Sequence, residues 1–139
     1  KTTALIANVL PYQEAHAQGF AEVCFVRNGF VTEGAHSNIF FVRNEALYTH
    51  PENNDILSGI TRKNIISVAR ANDVSVVEEA VATDMIPYMN EAFICNTTGE
   101  IVPVTRISDQ VIGDGNPGHL TRKLQVLLRE FIQSCDPHR

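Results

Sequence analysis

At 139 residues the chain is the size of one domain and long enough to bury a core. With 44% hydrophobic and 19% charged residues it is ordinary folded protein, not a disordered chain. A net charge of −5 and scattered basic residues argue against a nucleic-acid surface, and no apolar run reaches the length of a membrane span.

In chain order, Ala4 to Gln18 spaces Leu5, Ile6, Val9 and Leu10 as a helix, with Gly19 as its stop. Pro11 inside it should kink or break it, because proline supplies no N–H and crowds the preceding turn. Phe20 to Val26 is a strand candidate, and Arg27-Asn28-Gly29 carries the Asn-Gly pair of a hairpin turn. Phe30 to Thr32 resumes as strand, Glu33-Gly34-Ala35-His36 interrupts it, and Ser37-Asn38 leads into the apolar strand Ile39 to Val42. Ala46 to Thr49 is a further short strand.

A turn-forming run, His50-Pro51-Glu52-Asn53-Asn54-Asp55, precedes Leu57-Ser58-Gly59-Ile60-Thr61-Arg62, after which a helix is expected to about Asn72. Val74 to Val77 is a strand, and Thr83 is a candidate cap for a short helix. Ala92 to Asn96 is a buried strand ending in Thr97-Thr98-Gly99-Glu100. Ile101 to Val104 is a strand whose Pro103 suggests an edge or a bulge. Residues 114–118 form a turn. Leu120 to Ile132 closes the chain as an amphipathic helix with Leu124, Leu127, Leu128 and Phe131 on one face. Short strands paired by tight turns among helices predict an α+β domain with a mostly antiparallel or mixed sheet.

Three distant cysteines, Cys24, Cys95 and Cys135, suggest reduced thiols in a cytoplasmic setting, with Cys24 and Cys95 in the core. The five histidines have no metal-ligand spacing. The opening on Lys1, without an initiator Met and almost at once in a helical pattern, suggests a fragment.

Four features bear on chemistry. The Gly59-Ile60-Thr61 start of a helix aims free N–H groups and a hydroxyl at whatever lies before it, where the helix dipole favours an anion. Taken alone, an ordinary helix cap explains the same residues. Thr97-Thr98-Gly99 gathers hydroxyls at a strand end, or is simply a polar turn. Glu33 can accept a charge-assisted hydrogen bond from a protonated ring nitrogen, or stand as an exposed turn residue. Lys1 can condense with a carbonyl cofactor if its ammonium pKa is lowered, or be a solvated terminal side chain. Pyridoxal phosphate needs such a set: an amine, a carboxylate and an anion cradle.

With these residues in place, the chain resembles the C-terminal part of a class IV (fold type IV) pyridoxal-phosphate aminotransferase, and within that class most closely the D-amino-acid aminotransferases. The likeness runs from Lys1 to about Ile132. It rests on Lys1, Gln13-Glu14-Ala15-His16, Val31-Thr32-Glu33-Gly34, Ser37-Asn38-Ile39-Phe40, Leu47-Tyr48-Thr49-His50-Pro51, Leu57 to Arg62, Thr97 to Val104 and Ile112-Gly113-Asp114-Gly115. The resemblance implies one cofactor-binding C-terminal domain over residues 1–139, a mixed or antiparallel sheet or barrel with flanking helices, and an N-terminal substrate domain that is absent here. It implies pyridoxal 5′-phosphate as cofactor, with Lys1 as the catalytic amine and Glu33 against the pyridine nitrogen. Leu57 would pack on the ring, and Ile60, Thr61 and Thr97 would hold the phosphate. Substrate contacts would involve Thr98 and His36. Family members often carry small residues where Ala35-His36 stand, and Asn96 replaces a more usual Ser.

The implied reaction is transamination between an amino acid, with a D-amino acid favoured, and a 2-oxo acid. Its partners are small molecules, with no nucleic acid and no membrane, in a cytoplasmic homodimer. Branched-chain aminotransferase and aminodeoxychorismate lyase are the alternatives within the class, and a non-catalytic fragment the alternative outside it. Without the N-terminal half, this chain alone is expected to bind the cofactor weakly or not at all.

Overall fold

Strict side-chain alternation along apolar strands forces a sheet to bury both of its faces if both sets of residues are hydrophobic. The strand at Asn38–Arg43 is such a case, because all of its first five residues are buried. The computed structural model describes residues 6–135. They form α1 (Ile6–Ala17), β1 (Cys24–Arg27), β2 (Phe30–Gly34), β3 (Asn38–Arg43), β4 (Ala46–Thr49), α2 (Ile60–Ala71), β5 (Val76–Glu78), a 3-10 helix (Thr83–Tyr88), β6 (Glu91–Asn96), β7 (Glu100–Val104), β8 (Arg106–Ile107), β9 (Gln110–Val111) and α3 (His119–Ser134).

The main sheet has the order β5-β4-β3-β6-β7, antiparallel except for the parallel β4–β5 pair. It is therefore the expected α+β domain with a mixed sheet, and Pro103 lies on the edge strand β7, where its missing N–H is tolerated. One face packs on α2 and α3 through Phe40, Val42, Phe93, Cys95, Ile65 and Leu124, with the Phe40 and Phe93 rings stacked at 4.9 Å. The opposite face, with Ile39, Phe41 and Ala92, meets Val31, Ile86 and Ile112.

Local turns follow the sequence signals. Asn28 and Gly29 take positive φ, 52° and 81°, between the paired Arg27 and Phe30, as the Asn-Gly pair requires. Glu91 accepts hydrogen bonds from Leu120 N, Thr121 N and Thr121 Oγ1 and so seats the start of α3 on β6.

Several expectations are corrected. The strand expected over Phe20–Val26 is only Cys24–Arg27, because Glu22 takes the N–H of its neighbour Val23 and reaches across to residues 35–37. Glu33 and Gly34 do not interrupt a strand; they end β2. Thr83 is not a cap. Ala82 occupies that position and makes no side-chain bond. The helix α1 runs unbroken through Pro11, and none of its described residues is buried. The β8–β9 hairpin was not signalled, since Ser108, at φ 49°, and Asp109 are a weak turn pair.

Candidate active site

The site is assembled around the loop before α2, which β2 reaches through Glu33 and β3 through the side chain of Asn38. Residue 38 opens β3, pairs with Cys95 of β6, and is buried. Its Nδ2 donates to the carbonyl of Leu57 at 2.8 Å, and its Oδ1 lies against the Cα of Gly59, so that a β-carbon there would overlap it. From the other side, the Leu57 N–H donates to Glu33 Oε2 at 2.7 Å. The Leu57 peptide is thus fixed at both ends, while its side chain stays 64% exposed and free to contact a ligand.

Glu33 therefore has one oxygen held and the other available. Partial burial raises its carboxyl above the usual carboxylate range, opposed by the Leu57 hydrogen bond and by His50. A cation arriving at the free oxygen would favour the ionised form.

The loop then enters α2. Gly59 is its N-cap and supplies no side-chain bond, and Lys63 N is the first amide to bond back to Gly59 O. The N–H groups of Ile60, Thr61 and Arg62 in that first turn have no acceptor earlier in the helix. Gly59 fills the cap position with its backbone alone, and neither Ser58 nor Thr61 adds a side-chain cap. Ser58 Oγ is buried without a partner beside this turn. Such an uncapped end is a fitting seat for a phosphate.

At the end of β6 the Asn96 carboxamide accepts from Gly99 N at 2.6 Å and from Thr98 Oγ1 at 3.2 Å, shaping the turn that exposes Thr97 and Thr98. Asn96 thus builds the turn itself and engages the Thr98 hydroxyl. His36 is exposed, with its ring 4.7 Å from that of Tyr12 on α1. Lys1 lies outside the described residues. The structure thus links Glu33, Leu57 and Asn38 by hydrogen bonds just before Ile60 and Thr61, with Thr97 and Thr98 at the end of the adjoining strand. His36 lies against Tyr12 of α1.

Three residues escaped sequence reasoning. Asn38 was visible as a polar residue opening an apolar strand. Glu22 was visible as an acid inside the run Phe20–Val26; it gathers Ala35 N, His36 N and Ser37 Oγ and so fixes the turn after Glu33. Arg62 was visible at helical spacing with Ile65, Ile66 and Ala69. It is 1% exposed, and its Nη2 donates to His50 O at 2.8 Å and to Glu78 Oε2 at 3.0 Å. It ties the start of the loop to the helix that ends it.

A carboxylate at a strand end is thus bound by an amide of the loop that leads into the helix start. Residues 1–107 match the model of the amino-transferase class IV family. This chain belongs to the class IV aminotransferases. It is 39% identical over 134 residues to a D-alanine aminotransferase of Bacillus licheniformis, covering 96% of this chain and 47% of that protein. The branched-chain amino acid aminotransferase of Thermobaculum terrenum, solved in its PLP-form, superposes with a TM-score of 0.87 at 34% identity, over 95% of this chain and 44% of the other. A branched-chain aminotransferase of Thermoproteus uzoniensis, solved with norvaline, gives a TM-score of 0.87 at 30% identity, over 96% and 44%. The chain therefore spans about half the length of the relatives it matches.

Among the described residues no helix is long and apolar enough to cross a membrane, and no group of three or more His, Cys, Asp or Glu is placed to hold a metal ion. Burial pushes the Cys24 and Cys95 thiols up to about 12, which keeps both unreactive.

Proposed function

We propose that this chain is the cofactor-binding domain of a pyridoxal-phosphate-dependent transaminase that moves an amino group between an amino acid and a 2-oxo acid. The observation that carries the reading is the Glu33–Leu57 contact on the loop that runs directly into the uncapped start of α2. One segment thereby sets the spacing between a carboxylate for a ring nitrogen and N–H groups for a phosphate.

Pyridoxal phosphate, when bound, supplies an aldehyde to carry the amino group and a ring to take up the electron pair of a broken Cα–H bond. The residues of the chain do the rest. Glu33 keeps its free oxygen against the ring nitrogen and holds a proton there. Ile60 and Thr61 N–H groups, with the Thr97 hydroxyl, bind the phosphate and stop the ring from turning. Leu57 covers the ring. Lys1 Nζ takes the proton from the substrate Cα. Thr98 and His36 contact the substrate, with His36 fixed on the α1 side by Tyr12. The assembly is a homodimer in the cytoplasm.

The D-alanine aminotransferase relatives favour a D-amino acid as donor. The branched-chain aminotransferases among the structural relatives favour the second reading, a branched-chain L-amino acid. Titration of the full-length protein with pyridoxal 5′-phosphate, followed by single-turnover spectra with D-alanine and with L-leucine, tests both levels. An absorbance shift on cofactor addition that Glu33→Gln abolishes is the expected result, followed by conversion with D-alanine. Conversion with L-leucine alone selects the branched-chain reading, and no absorbance shift overturns the cofactor reading itself.

A further inference from the structure

Most of the groups assigned to the cofactor have no direct bond to one another, so something must fix their relative positions. Asn38 is the side chain that does so. It is 6% exposed, and both ends of its carboxamide are committed: Nδ2 to the Leu57 carbonyl at 2.8 Å, and Oδ1 against Gly59. The Leu57 carbonyl also accepts from Gly59 N at 2.9 Å, so the three residues Leu57, Ser58 and Gly59 are folded tightly around it. Its backbone pairs with Cys95, two residues before Thr97.

We propose that Asn38 is a positioning residue that sets the distance between the Glu33 carboxylate and the N-terminus of α2, and thereby the fit of the cofactor between its two anchor points. This rests on the cofactor reading above. The Leu57 peptide is the mechanical link, because its N–H fixes Glu33 while its carbonyl is fixed by Asn38. A shift of the carboxamide therefore moves the acid and the phosphate seat relative to each other. Gly59 supplies an independent handle on the same contact. Its backbone, at φ −68° and ψ 139°, is ordinary for any residue, so only the overlap with Asn38 Oδ1 excludes a side chain.

The test is a double-mutant cycle in the full-length protein, using Asn38→Ala, Gly59→Ala and the pair. Pyridoxal 5′-phosphate affinity is measured by absorbance, and hydrogen exchange is followed at the Leu57 amide, with the Phe93 amide as a core control. Each single variant should weaken cofactor binding about tenfold, the scale of one well-made hydrogen bond, and should accelerate exchange at Leu57 but not at Phe93. The double variant should bind no more weakly than Asn38→Ala alone, because removing the carboxamide makes room for the new methyl group.

Full additivity, wild-type affinity in Gly59→Ala, or unchanged Leu57 exchange would each overturn the proposal. If Asn38→Ala does not fold, Gly59→Ala still decides it. If the wild-type protein shows no cofactor binding, the cofactor reading falls and with it the role assigned to Asn38. Leu57 exchange then separates that failure from a failure of the pinning contact.

Discussion

The two faces of the five-stranded sheet are closed by different means. On one face Phe40 and Phe93 are fully buried, and α2 and α3 cover them with Ile65, Ala69, Leu124 and Leu128. On the other, Ile94, Val102 and Val104 line an open cleft of about 850 Å³ together with Cys24, Val31 and Ile107. The covered face is an ordinary core, in which packing carries the stability. The open face leaves Phe20, Val26, Phe30 and Val102 partly in solvent. The Asn38 contact that shapes the loop before α2 belongs to the covered side, since Asn38 alternates in step with Phe40 and Val42. The Glu33 contact comes instead from β2, outside the five-stranded sheet.

That contrast can be broken most severely at Phe93. Replacing it with Ala should lower stability by about 3–5 kcal/mol through lost burial and a residual cavity, read as a fall in the urea midpoint. Arg62→Leu should follow at about 3 kcal/mol, because it strips a buried cation from Glu78 and His50 O. Ile94→Ala, on the open face, should cost only about 1 kcal/mol, since the cleft already abuts the side chain. A cost for Ile94→Ala as large as that for Phe93→Ala would mean that the open face is covered in solution.

Two acids sharpen the comparison through pH. Glu78 is held below the usual carboxylate range, mainly by its hydrogen bond from Arg62. Its contribution is thus fully present above the ordinary carboxylate pKa of about 4.5 and is lost as pH falls through the lower folded value. Glu33 has the opposite sign. Burial raises its pKa, so the fold favours its protonated form below about 4.5 and loses that advantage as pH rises through the raised folded value. Acid denaturation curves should therefore shift with Glu78→Gln. Glu33→Gln should leave stability at neutral pH equal or slightly higher without cofactor, while removing the rise in melting temperature that pyridoxal 5′-phosphate gives. The smallest effect belongs to exposed α1, where Leu10→Gln should change stability by no more than about 0.5 kcal/mol.

Much of this molecule was legible in its residues. Asn28-Gly29 announced a hairpin, Pro103 an edge strand, and the period of Leu124, Leu128 and Phe131 a helix on a core. These signals are local, and local geometry decides them. Glu33, Leu57, Ile60 and Thr61 could be named, yet their sequence did not contain their arrangement. That arrangement depends on contacts between residues far apart in the chain, such as Asn38 with Leu57 and Arg62 with His50. Glu22 was hidden for the same reason: it lies in an apolar run, and its partners are 13 to 15 residues away. The helix through Pro11 shows the converse. Its proline signalled a break, and the described helix continues through it.

The parallel pairing of β4 with β5, the only one among the described residues, has a consequence for how the protein can vary. Such a pair needs a crossover, here supplied by α2, and the connection leaving the carboxyl end of β4 is the segment that carries the candidate site. Its two ends are fastened, at His50 by Arg62 and at Leu57 by Asn38 and Glu33, while Glu52, Asn53 and Asn54 between them are exposed. Insertions at Asn53–Asn54 would lengthen the tip without moving either fastening, because extending a surface loop adds little entropic cost. The same fold can thus acquire new reach over a ligand by lengthening that tip, with its anchoring chemistry left intact.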